Sequence, residues 1–147
     1  MIRILSWIVL LLLTTNGCRD ASVPELVPVG GTVTLDGKPL SGALVEFLPL
    51  GDIPGNGGGG RTSAEGRYQL QTGQGHHGIP AGEYKVVIIK LVMPDGSDFP
   101  ADSDVPPIDS SAQQVLSARY SERDLTELRA IVAAETHTLD FALESGS

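Results

Sequence analysis

Apolar and polar side chains alternate along the chain from residue 29 onward, in short stretches that glycine- and proline-containing turns separate. In the first stretch Val29, Val33 and Leu35 fall at odd positions with threonines between them. This is the period of two that a sheet with one buried face produces. Asp36 and Gly37 follow, and this dipeptide supplies the positive φ angles that a tight hairpin turn needs. The pattern therefore predicts antiparallel β-sheet.

Seven segments carry this alternation: 33–35, 43–48, 67–71, 83–90, 115–119, 126–132 and 138–143. Short strands divided by regular turns predict an all-β fold, an antiparallel Greek-key β-sandwich of about seven strands. We expect the last two strands to pair as a closing hairpin, and a short helical turn that ends near Tyr120. The largest core side chains should be Phe47, Tyr68, Tyr84 and Phe141.

Four motifs in this region resemble a known family: GTVTLDGKPL at residues 31–40, GALVEFLP at 42–49, AEGRY at 64–68 and PAGEY at 80–84. Together they are similar to the carboxypeptidase regulatory-like domain, as found in small exported bacterial lipoproteins that consist of one such domain. The resemblance implies a transthyretin-like (prealbumin-like) sandwich over residues 29–144, with a Pro/Asp-rich insertion at 91–114. It implies no particular activity, because this fold serves many roles.

The N-terminus has the composition of a targeting segment. Arg3 precedes a run at residues 4–13 that is apolar apart from Ser6. This run is half of the roughly 20 apolar residues that a permanent transmembrane helix needs. Residues 1–17 are therefore predicted to be a signal peptide.

Cys18 is the only cysteine and directly follows that segment, so it has no partner for an intramolecular disulfide. Residues 15–18 resemble a bacterial lipobox at Gly17 and Cys18, but not at Thr15 and Asn16. The alternative is ordinary signal-peptidase cleavage. We expect Cys18 to be lipidated, with residues 18–28 as a tether, because several acyl chains make a stable anchor. This predicts an exported protein anchored in a membrane of the bacterial cell envelope, periplasmic or surface-facing.

The chain is acidic, with a formal charge of −8. Removal of residues 1–17 takes away only Arg3, which leaves 18 acids against 9 bases, or −9. Phosphate backbones are bound by clustered Lys and Arg. We therefore expect no nucleic-acid partner.

Two glycine-rich segments are candidate binding sites, one for phosphate and one for a metal ion. Residues 51–60 lack the Gly-Lys-Ser/Thr ending of a phosphate-binding P-loop, so a flexible surface loop is expected. His76 and His77 lie in the second segment without the spacing of a zinc set, which leaves a metal site there as the lesser alternative. His137 has no evident partner, and we expect it at the surface. No catalytic residue and no cofactor are predicted.

Residues 91–114 combine four prolines with five aspartates and no base. A loop of this length is usually either functional or disordered. Calcium is one hypothesis, with Asp95, Asp98, Asp102 and Asp104 as weak candidate ligands, although the EF-hand order of ligands is absent. The other interpretation is a solvated acidic loop.

These observations predict a non-catalytic envelope lipoprotein whose sandwich is a structural or protein-interaction module. Its expected partners are the membrane, through the lipid anchor, and an unknown envelope protein or glycan. The first alternative is a carbohydrate-binding module of the envelope. Sugar sites generally stack on exposed aromatics, and only Phe99 and Tyr120 are left outside the expected core to do so, which counts against this alternative. The second is a calcium-binding accessory domain. An enzyme is not expected, since the resemblance places the catalytic zinc ligands of carboxypeptidases in a separate domain.

Overall fold

The computed structural model describes residues 24–146, which form twelve short strands, one 3₁₀ turn and one short α-helix. The strands are β1 Leu26–Val27, β2 Gly30–Leu35, β3 Lys38–Pro39, β4 Leu44–Pro49, β5 Gly58–Arg61, β6 Arg67–Gln69, β7 Ile79–Pro80, β8 Gly82–Ile89, β9 Leu91–Val92, β10 Gln113–Gln114, β11 Arg129–Val132 and β12 Phe141–Leu143. Helix α1 is Ala118–Ser121 and the 3₁₀ turn is Pro107–Asp109. The predicted signal peptide and Cys18 lie outside the described residues.

Two main sheets face each other, which confirms the predicted all-β sandwich. The first has the order β11-β8-β4-β5 and is antiparallel throughout. In the second, β2 lies between β12 and the pair β3 and β6. Strands β1 and β7 pair as a separate two-stranded ribbon, and β9 and β10 form another. Because the strands are more numerous and one pair is parallel, the seven-stranded Greek key is not reproduced as such.

The core lies between the inner faces of the two sheets, and aromatic rings occupy its centre. Phe47 is fully buried, with its ring centroid 5.9 Å from that of Tyr84, 6.1 Å from Phe141 and 6.5 Å from Tyr68. Such pairs add about 0.5–1.5 kcal/mol each beyond the burial of their area. The four predicted aromatic core members are therefore confirmed, with Phe141 partly buried against the cluster.

The predicted tight hairpin turn at Asp36 and Gly37 is confirmed. Asp36 and Gly37 have φ angles of 51° and 77°, and Leu35 pairs with Lys38 across the turn. Positive φ at both central residues is the geometry that matches the twist of a two-residue hairpin.

The glycine run at residues 51–60, expected to be a flexible loop, ends in strand β5 Gly58–Arg61, so that expectation is wrong for residues 58–60. This strand, β5, pairs with β4 and also bridges Gly59 to Gln71, in the segment that continues from β6. A Cβ on Gly58 would lie 2.6 Å from the Gln71 carbonyl oxygen. Glycine therefore permits the close approach of two backbones that joins the two sheets along one side.

The expected closing hairpin is wrong, because the last two strands belong to different sheets. Strand β11 is antiparallel to β8, whereas β12 is parallel to β2 and pairs Phe141 with Val33. The Leu139 N–H also donates to the Gly30 carbonyl oxygen at 2.8 Å, which adds a hydrogen bond between the segment before β12 and strand β2.

The predicted strand at residues 115–119 is also wrong, whereas the short helical turn that contains Tyr120 is confirmed as α1. The side-chain oxygen of Gln114 accepts hydrogen bonds from the N–H groups of Lys90 at 3.1 Å and Leu116 at 2.9 Å. This local side-chain bonding competes with a continued strand ladder. Leu116 then enters the core.

The N-terminal boundary differs from the expected one as well. Leu26–Val27, which was assigned to the tether, forms β1 and pairs with β7, and Val27 is buried in the core. Within residues 24–146 no helix combines the length and the apolar composition that crossing a bilayer requires.

Candidate functional site

A groove of about 1070 Å³ lies where strands β2, β5 and β6 meet on the solvent side of the sheet. Its floor includes the backbone of Gly30, Gly59 and Gly60. A Cβ on Gly30 would lie only 2.7 Å from the Tyr68 carbonyl oxygen, so a larger residue does not fit there. Because all three floor residues are glycines, no side chain covers their backbone. The polar residues that line it are Thr32, Arg61, Arg67, Gln69, Gln71, His77, His137, Thr138 and Asp140.

The strand that contains β6 supplies three of these side chains by simple alternation. Arg67, Gln69 and Gln71 are exposed on the groove side, whereas Tyr68 and Leu70 between them are buried in the core. Side chains two residues apart on a strand are separated by about 6.6–6.8 Å. The groove therefore presents a row of planar polar groups at a regular spacing, held by a buried strand.

Two histidines far apart in the sequence reach this groove. His77 Nδ1 lies 3.5 Å from Gln71 Nε2, and His137 Nδ1 lies 3.3 Å from the Pro28 carbonyl oxygen. His76 does not line the groove, and its backbone N–H donates to Thr72 Oγ1. His137 is exposed, as expected, but it lies at a site that its sequence position did not reveal.

The groove is locally cationic in an acidic protein. Arg61 and Arg67 stand against one aspartate, Asp140, which gives a formal charge of +1 with neutral histidines, while the chain as a whole carries −8. Asp140 Oδ1 accepts the Thr32 N–H at 2.7 Å. Arg61 Nη1 donates to the Gly42 carbonyl oxygen at 3.0 Å, so this arginine is held beside the groove.

Tyr68 supports the wall formed by residues 137–140 from below. Its hydroxyl donates to the Leu139 carbonyl oxygen at 2.6 Å. Burial raises the pKa of Tyr68 far above its ordinary value, with the nearby Asp140 carboxylate acting in the same direction. The phenol therefore stays neutral at ordinary pH, and its hydrogen bond helps to hold residues 137–140 in place at the edge of the groove.

No three of the four candidate calcium ligands come together within residues 24–146. The Asp98 carboxylate pairs with the ammonium of Lys90, and Asp95 Oδ1 accepts hydrogen bonds from the Ser97 hydroxyl at 2.6 Å and N–H at 2.9 Å. These bonds lower the pKa of Asp95. Across residues 24–146, no three His, Cys, Asp or Glu side chains form a group suited to a metal ion.

The segment 91–114 is folded against the first sheet rather than being structureless. Strands β9 and β10 pair within it, and Phe99 is buried at 8% exposure above a smaller cavity of about 310 Å³. Tyr120 packs against the core, and its hydroxyl accepts the Glu144 N–H at 3.3 Å. Phe99 and Tyr120, the two aromatics left outside the expected core, are thus a buried side chain and one packed partly against the core.

Sequence reasoning missed the groove because its residues come from separate segments. The polar alternation of Arg67, Gln69 and Gln71 was the one signal available, since it marks an exposed face on a strand with a buried core side. Comparison of the chain with protein-family models, with curated proteins and with solved structures finds no match.

Proposed function

We propose that this protein is a non-catalytic binding module of the bacterial cell envelope, and that the groove between β2, β5 and β6 is its recognition surface. The observation that carries the proposal is the groove itself: about 1070 Å³, lined by exposed polar side chains on a rigid sheet. Clefts of this size with convergent polar groups are the usual location of ligand sites.

The hydrogen bonds of the groove favour binding over catalysis. A general base must lie within hydrogen-bonding distance of a nucleophile or of the proton it removes. Here His77 lies beside the amide of Gln71, and His137 lies beside the Pro28 carbonyl. Asp140 accepts a backbone N–H of the neighbouring strand instead of orienting a histidine.

The proposed location in the envelope is supported by the sequence of the N-terminus and by the resemblance to exported lipoproteins. Pro28, at one edge of the groove, lies ten residues after Cys18. Ten extended residues span at most about 35 Å. If Cys18 carries the acyl anchor, the groove is held close to the membrane surface, within reach of envelope polymers and proteins.

The test is co-sedimentation of the purified full chain with detergent-insoluble envelope material. Detergent keeps the acyl chains in micelles, so that membrane insertion does not carry the protein down. We expect the wild type to sediment and Arg67→Ala/Gln69→Ala to lose at least about five-sixths of that binding, about 1 kcal/mol. The control Arg123→Ala removes the same charge from the turn after α1, outside the groove.

Thermal unfolding of both variants checks that the fold is retained. Among residues 24–146 the Arg123 side chain pairs only with Glu46, at 3.4 Å, and surface pairs of this kind contribute about 0–1 kcal/mol. Equal sedimentation of wild type, groove variant and control would refute the groove as the recognition surface. Lack of sedimentation by the wild type would refute the envelope-binding role.

A further inference from the structure

The backbone of the groove floor is engaged at Gly30, Gly59 and Gln71. Gly59 and Gln71 exchange N–H···O bonds of 2.9 Å in both directions. The Gly30 N–H donates to His137 O at 3.1 Å, and the Gly30 carbonyl accepts from Leu139 at 2.8 Å. A peptide that binds as an added strand needs free main-chain groups at a sheet edge. These bonds therefore favour recognition of a ligand by side chains.

Those side chains offer both donors and acceptors. An arginine supplies only donors, whereas the amides of Gln69 and Gln71 and the ring of a histidine can donate and accept. A hydroxyl group also donates and accepts, so a ligand with several hydroxyls satisfies this set. A polyanion that only accepts would use the donors of this set but gain no hydrogen bond from the glutamine carbonyl oxygens.

One position selects for negative charge. Within residues 24–146 the hydrogen bonds of Arg67 are made by its backbone, so its guanidinium at the groove has no hydrogen-bond partner. The pKa of the exposed Glu65 is lowered by its hydrogen bond with Ser63 and also by the charge of Arg67, so a ligand carboxylate competes with Glu65 for this guanidinium. The guanidinium fork matches a carboxylate in a bidentate, charge-assisted geometry. The chain carries −8 overall, so its long-range field repels anions, and selection must come from this contact geometry.

From these three observations we propose that the groove binds an anionic carbohydrate of the sugar-acid class. The carboxylate pairs with Arg67, and the ring hydroxyls contact Gln69 and Gln71 along the same strand. Recognition is through hydrogen bonds and charge, without an aromatic stacking surface. The inference rests on the proposed function, because it assigns a ligand class to the same groove.

Isothermal titration of the full chain in detergent with trigalacturonate tests this assignment. The matched ligands are the methyl-esterified trimer, which keeps the hydroxyls but loses the charge, and triglutamate, which has carboxylates but no hydroxyls. The protein variants are Arg67→Ala, Arg67→Lys and the charge-matched control Arg123→Ala.

We expect trigalacturonate to bind at least about tenfold more tightly than the methyl-esterified trimer, the size of one lost charge-assisted bond. It should also bind more tightly than triglutamate, which keeps the carboxylates but has no hydroxyls for Gln69 and Gln71. Arg67→Ala should weaken it about tenfold or more, and Arg67→Lys should recover only part, because lysine lacks the fork. Arg123→Ala should change the affinity by less than about twofold.

Three results would overturn the proposal: no heat at millimolar trigalacturonate, equal affinity for triglutamate, or equal effects of Arg67→Ala and Arg123→Ala. If trigalacturonate does not bind but the Arg67→Ala/Gln69→Ala variant still loses envelope sedimentation, the ligand class is wrong and the groove remains the recognition surface. The failures of the two proposals are thereby separable.

Discussion

Replacement of Asp98 tests the buried ion pair that holds residues 91–114 to the first sheet. The Lys90 side chain is 8% exposed and the Asp98 side chain 49% exposed. Besides the carboxylate, the Lys90 ammonium has only the Ser41 carbonyl oxygen, at 2.6 Å, as a partner within the described residues. Asp98→Ala therefore leaves a buried positive charge with one neutral acceptor.

The magnitude follows from this exposure. Removal of one member of a fully buried pair costs about 3–5 kcal/mol. Because water already reaches half of Asp98 and the Ser41 carbonyl remains, we expect about 2 kcal/mol for Asp98→Ala. Lys90→Met keeps the apolar stem and removes the buried charge, and the exposed Asp98 can hydrate, so its cost should stay below about 1 kcal/mol.

Urea unfolding at 25 °C and neutral pH measures these differences. With a slope of about 2 kcal/mol per molar, Asp98→Ala should lower the midpoint by about 1 M and Lys90→Met by less than about 0.5 M. The double variant should resemble Lys90→Met, because no buried charge is left unpaired. Equal losses for the two single variants, or an additive double variant, would contradict this account.

Three further predictions concern the strands, the C-terminus and the anchor. A Cβ on Gly31 would collide with a backbone carbonyl oxygen of the β12 side, so Gly31→Ala should lose at least about 2 kcal/mol in urea unfolding. Gly73→Ala, where the added Cβ meets no atom within 4 Å, should change stability by less than about 1 kcal/mol. The pKa of Asp36 is lowered by hydrogen bonds from the Ser145 hydroxyl and N–H. A lowered folded-state pKa gives stability that is present above the ordinary value and lost as pH falls through the lowered one. The amide resonance of Ser145 should therefore shift in acid below the usual aspartate range, and Asp36→Asn should abolish that shift. Intact-mass analysis of chain expressed in a bacterial host should show acyl groups on Cys18, and an unmodified residue would exclude the lipid anchor.

The strands with a buried side chain at every second position could be predicted from the sequence. Tyr68 and Leu70, in and after β6, are apolar between polar neighbours, and Val45 and Phe47 in β4 lie on either side of Glu46, so period two identified both the strands and the inner face. Strand β5 could not be found in this way. Its first three residues are glycines, which carry no pattern, and only the close approach to Gln71 explains them.

The groove depends on topology, which alternation does not specify. Arg67 and Gln69 follow from the exposed face of one strand, but His137 reaches them only because the chain before β12 runs parallel to β2. A hairpin of the last two strands, as expected from their proximity in sequence, would place this segment in the other sheet. The alternation of side chains predicts which face of each strand is buried. It does not predict which strands become neighbours, because that depends on pairing between distant parts of the chain.

The parallel pairing of β2 with β12 bears on how the protein is made. Val33 and Phe141 are partners although 108 residues separate them, so the second sheet stays incomplete until the segment around residue 141 has been synthesised. Pairings of such high sequence separation form slowly. Until β12 arrives, one edge of β2 has no partner strand, and an open strand edge is a template for pairing with another chain. Aggregation during refolding should therefore depend on how quickly this edge is covered.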